Sequence, residues 1–156
     1  MADYKGHMVG AFVAVGAFMA AAAFVGYRLK PIFFLQALFF AFLGALFPDI
    51  DTKSKGQRLL YMILFCLLLI LLVYKKFLIA AVIALMSFVP LLVHHRGFLH
   101  TVWFSVFFTT VSVVICSLQC PAYAAAAVRN GLFFLVGIFS HLLIDFGPRR
   151  FFSKRS

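Results

Sequence analysis

The chain has 156 residues, of which 65% are hydrophobic and 12% charged, and it carries a net charge of +10. A soluble domain of this size needs more polar surface than that to cover its core, so the composition excludes one and defines an integral membrane protein. Backbone groups in lipid must be satisfied internally, and nothing here alternates as barrel strands do. The expected fold is therefore all-α, a polytopic membrane helical bundle forming one domain over residues 1–156.

Six apolar segments lie between charge and turn signals, at about residues 8–26, 32–47, 59–74, 77–93, 99–118 and 130–146. The first, flanked by Lys5 and rich in alanine, reads as a retained span because further spans follow it and no polar domain does. A segment of about 16 residues rises only about 24 Å, so the second and third are short for a crossing and are candidates for re-entrant segments. Cys66, Cys116 and Cys120 lack metal-type CxxC spacing and read as small packing residues. The 22 phenylalanines read as lipid-facing and inter-helix packing.

Orientation follows from Lys and Arg in the short loops. With an even number of spans, one face holds Lys5, Lys53, Lys55, Arg58, Arg96, Arg149, Arg150, Lys154 and Arg155. The other holds Arg28, Lys30, Lys75, Lys76 and Arg129. Nine against five places both termini in the cytoplasm of a multi-pass inner-membrane protein. The basic tail "PRRFFSKRS" suits an anionic membrane surface, and nucleic acid is not an expected partner.

The chain has four Asp, no Glu and five His, and all nine fall on the expected cytoplasmic side. Asp3 and His7 precede or open the first span, and Asp49 and Asp51 follow the second. His94, His95 and His100 flank the fourth and fifth, and His141 and Asp145 end the sixth. Solubility would scatter such residues over both faces, so the clustering points to one site assembled from distant parts of the chain. In "SHLLID", His141 and Asp145 stand i, i+4 on one helix face, as ligand and partner or as two ligands. If the helix leaves the membrane near Gly147, His141 lies about 9 Å below that point. In "FPDIDTK", Pro48 stops a helix just ahead of two carboxylates. Asp49, Asp51 and Asp145 sit near helix C-termini, where the helix dipole disfavours negative charge. Lys53, Lys55 and Arg58 offer one compensation, and a divalent metal among converging histidines offers another. His7 and His100 begin helices, which favours the neutral, metal-binding imidazole. His94 is the weakest member, since adjacent helical residues diverge by about 100°.

"GALFPDIDT", "HRGFLHT" and "GIFSHLLIDF" together resemble the YdjM-like, LexA-binding inner-membrane family, whose assigned activity is metal-dependent hydrolysis. The likeness runs from residue 7 to residue 145. It implies that His7, Asp49, Asp51, His95, Arg96, His100, His141 and Asp145 are signature positions, with Thr101 where a serine is usual. It implies no protein partner.

The residues favour hydrolysis independently of that likeness. There is no GxSxG elbow, and without glutamate no HExxH motif, which leaves water activated by metal. The expected ligands are His7, Asp49, Asp51, His95, His100, His141 and Asp145, with one or two divalent ions. Zinc is the first choice, with manganese or magnesium as alternatives. Asp49, Asp51 and Asp145 are the candidates for moving protons, and Arg96 either recognises phosphate or anchors its loop at the interface. A site at headgroup depth edged by cations points to membrane lipids as partners and a lipid phosphate as substrate. The rivals are a metal or proton transporter, an acid-phosphatase-type lipid phosphatase, whose PSGH segment is missing, and a purely structural membrane protein.

Overall fold

The computed structural model describes residues 4–26, 30–51, 55–92 and 101–151. The described residues form six α-helices and two short 3₁₀ turns: α1 (Tyr4–Phe24), α2 (Pro31–Leu46), α3 (Lys55–Val73), α4 (Phe77–Leu92), α5 (Val102–Gln119) and α6 (Ala124–Phe151). One 3₁₀ turn, Pro48–Asp51, follows α2, and the other, Pro121–Tyr123, leads into α6. The expected all-α bundle is the observed one. Helices α1, α3, α5 and α6, the last counted from Pro121 to Gly147, are long and apolar enough to cross a membrane. Large apolar side chains such as Phe12, Phe65, Ile70, Phe107 and Leu118 cover its outside, which is where lipid stands in for a core.

Local chemistry sets the helix limits. Pro31 opens α2 at a position where its missing N–H costs nothing, and Pro48 follows its end. Thr101 caps α5, its hydroxyl accepting from the Phe104 N–H at 3.3 Å. Three helices start at least four residues earlier than the apolar segments suggest, the first of them at Tyr4. The third begins at Lys55, and its 19 residues make it a full-length candidate span rather than a short one. The sixth begins at Ala124, because the run of alanines that reads as loop has the highest helix propensity of any residue. Near its end, Gly147 adopts φ 68°, ψ 161° and kinks the helix two residues beyond Asp145. Of the expected short segments, α2 stays short at 16 residues, about 24 Å.

Helix α2 is short but central. It packs against α6 and α1, which also pack on each other; α5 lies along α6, and α3 pairs with α4. Ala37, Ala41 and Ala45 recur every four residues on α2 and are fully buried with Ala11 and Val15 of α1. The closest approach is glycine against backbone. A Cβ on Gly44 would fall on the Phe134 carbonyl oxygen, and one on Gly137 on the Ala41 carbonyl oxygen. Small residues at such crossings let dispersion and backbone dipoles replace the hydrophobic drive that lipid removes. A second cluster, Leu46, Phe47, Ile50, Leu60, Ile138 and Leu142, fills the space toward α3 and α5. There Phe47 stacks on Phe108 at 4.6 Å and meets Phe134 edge-on at 5.4 Å. All three cysteines are free thiols; Cys116 and Cys120 are half-buried, whereas Cys66 points outward, so packing does not account for it.

Candidate metal centre

The start of α1, the end of α2 and the last third of α6 meet at one end of the bundle, and each brings a ligand-type side chain there. His7 and His141 are 1% and 0% exposed, and the Asp145 and Asp49 side chains 4% and 16%. The i, i+4 spacing that puts His141 and Asp145 on one face of α6 extends back to Gly137. The glycine that brings the backbones together therefore lies on the same stripe as the two functional groups. On α1, His7 heads the stripe that continues through Ala11 and Val15, so its ring is carried inward by the helix's own packing face.

His141 is oriented through one ring nitrogen. Its Nδ1 donates to the Ala45 carbonyl at 2.7 Å, and that carbonyl belongs to the last turn of α2, where the helix leaves acceptors unfilled. The carbonyl can only accept, so Nδ1 holds a proton, and in the neutral ring Nε2 would present its lone pair. That Nε2 lies 3.4 Å from Asp145 Oδ2 and 3.8 Å from Asp49 Oδ1. The His7 ring stacks on the His141 ring, centroids 3.8 Å apart and planes 19° from parallel, with its Nε2 3.6 Å from Asp145 Oδ1. Each oxygen of Asp145 therefore faces a different histidine.

These spacings suit co-ligands better than hydrogen-bond partners. An N–H···O bond centres near 2.9–3.0 Å, whereas two ligands each about 2.0–2.1 Å from a tetrahedral zinc stand about 3.4 Å apart. One ligand atom from each of His7, His141 and Asp145 falls within 4.8 Å of the others. Among the described residues, the buried Asp145 Oδ1 and His7 Nδ1 have no hydrogen-bond partner. Burying a carboxylate costs several kcal/mol unless a cation compensates it. With both imidazoles neutral, Asp49 and Asp145 bring two negative charges, which matches one divalent ion. The donor set of nitrogen and carboxylate oxygen suits zinc, with manganese within the same chemistry.

Four of the sequence-derived candidates, His7, Asp49, His141 and Asp145, are thus brought together. The backbone of Asp51 closes the 3₁₀ turn, and its side chain is outside the described set. His94, His95, Arg96 and His100 lie outside the described residues. Sequence reasoning missed the Ala45 carbonyl and the two glycines. The repeat of small residues at 37, 41 and 45, and Gly137 four residues before His141, are the signals that could have found them.

An all-α membrane bundle with a buried His and Asp cluster at one end is the class of protein that this fold and site define. The sequence pattern of the YdjM inner membrane protein family matches residues 3–149, and the chain belongs to that family. Comparison with curated proteins and with solved structures gives no match.

Proposed function

We propose that the protein is a metal-dependent hydrolase whose His and Asp site faces the cytoplasm and acts on a lipid phosphoester. The observation that carries this reading is the convergence of His7, Asp49, His141 and Asp145 at ligand-like spacing, with the His141 tautomer set by Ala45. His7, His141 and Asp145 hold the ion, and Asp49 joins them from α2's end. A divalent ion held there supplies Lewis acidity and lowers the pKa of water it coordinates. Asp49, the most exposed of the four, is placed to take the proton from attacking water. From the sequence, His95, His100 and Asp51 complete the ligand set and Arg96 binds the phosphate. The cytoplasmic orientation rests on the nine-to-five bias of Lys and Arg.

The surroundings of the cluster favour an enzyme over a transporter. An ion path needs polar groups that continue through the membrane. Next to the cluster the bundle interior is Ala11, Val15, Ala37, Ala41 and Phe133, all buried and apolar. The buried Ser105 and Thr109 on α5 donate to their own helix's carbonyls, or to its cap's, at 3.0 and 2.8 Å.

Elemental analysis of protein purified without metal-chelate chromatography, followed by phosphate release from a lipid panel with added zinc or manganese, tests both halves. Stoichiometric metal in the wild type, its loss in Asp145→Asn, and metal-dependent release are expected. If the wild type holds no metal and takes up none on titration, the metal centre is wrong. If it holds metal but turns over only soluble substrates, the lipid assignment is wrong.

A further inference from the structure

Away from the metal centre, α1 and α6 leave space between them. Near the centre the helices touch so closely that a Cβ on Gly10 would fall on Ile144 Cδ1. Further along, Phe18 meets Phe133 edge-on at 5.3 Å, and both rings form part of the wall of a groove of about 750 Å³. Ala22 of α1, Val25 just past its end, and Leu132, Val136 and Phe139 of α6 line it, and Arg129 stands among them as the charged lining residue. Its volume lies within the roughly 300–1,000 Å³ typical of ligand sites. From Arg129 to Phe139 it runs about 15 Å along α6.

Arg129 is held in place. Its Nη2 donates to Gln36 Oε1 at 3.1 Å, and its guanidinium carbon lies 4.4 Å from the centre of the Phe33 ring. These contacts orient the planar fork and use one of its five N–H donors, leaving others to point elsewhere. Neither contact carries negative charge. No acidic residue occurs between positions 4 and 48 or between 52 and 144. Asp145, on the same helix, is 16 residues away, about 24 Å. A fixed guanidinium at the mouth of an apolar groove thus lacks a protein carboxylate at its own end of the bundle.

We infer that this groove binds one anionic phospholipid, its acyl chain lying against α1 and α6 and its phosphate accepting from Arg129. The charge and the apolar lining select the occupant together. A second copy of this chain would bring an equally basic and acid-free end, and a zwitterionic lipid would bring its own ammonium to compete with Arg129. The Arg129 end of the site lies on the side away from the metal centre, and the proposal stands whether or not that centre is catalytic.

Native mass spectrometry of the detergent-purified protein, equilibrated with equal phosphatidylglycerol and phosphatidylcholine, tests this. The wild type is expected to keep one lipid, with phosphatidylglycerol preferred about five-fold, the ratio expected for one arginine facing an anionic headgroup. Arg129→Gln should bring the two lipids to parity, and Val136→Trp or Ala22→Trp should remove both by filling the groove. Circular dichroism and monodisperse elution confirm that each variant folds; if the filling variants do not, the Arg129→Gln result decides. Excess inorganic phosphate should not displace the lipid. Equal retention of the two lipids by the wild type, an Arg129→Gln protein that keeps the preference, or a cross-linked dimer through Ala22 would each overturn the proposal.

Discussion

The two ends of α6 pack against their neighbours in opposite ways. Toward its C-terminus, glycine and alanine bring α6 against α2 backbone to backbone, and Gly10 of α1 leaves room for the Ile144 side chain, so four polar side chains share one small volume. Toward its N-terminus, Phe18 and Phe133 prop α1 away, and the space between is apolar and open. In lipid, where apolar contact is no better between helices than with acyl chains, side-chain size decides which end closes. Polar function then follows the tight end, because only there can buried charges find partners within a few ångströms.

Breaking the tight end should cost most. Gly137→Leu sets a side chain against the Ala41 backbone, which cannot give way as a flexible side chain can. A loss of about 3 kcal/mol is expected, together with metal binding, read by thermal denaturation and metal titration. His141→Ala leaves that crossing intact and should weaken metal affinity by about 100-fold or more while helicity by circular dichroism is kept. A smaller effect is expected of Thr101→Ala, which removes the α5 cap at about 1 kcal/mol and leaves metal stoichiometry unchanged. The smallest is Ala22→Leu at the open end, which should stay within about 0.5 kcal/mol because the groove has room. If Ala22→Leu and Gly137→Leu proved equally damaging, the contrast between the two ends would be wrong.

Much of the site was legible from topology alone. Six antiparallel apolar segments, as the sequence reads, put residues 7, 49, 141 and 145 at one end whatever their rotamers. The helix faces were legible only in part, from His141 and Asp145 on α6 and the small residues of α2, since hydrophobic periodicity marks no inward stripe on helices this apolar. The pairing of Gly44 with Phe134 and of Gly137 with Ala41 depends on how two helices settle against each other. The tautomer of His141 is likewise set by a carbonyl 96 residues away in sequence. Arg129 read as one of five far-side basic residues, and its contacts with Gln36 and Phe33 emerge only in three dimensions.

The hydrogen bond from His141 to Ala45 ends on main chain, so no amino-acid identity at position 45 encodes it. The side chain there could drift among small residues while the imidazole kept its proton on the same nitrogen. What must be inherited is the vertical register between two helices. A slip of one residue, about 1.5 Å, would move the acceptor away and leave every residue of the site unchanged in name.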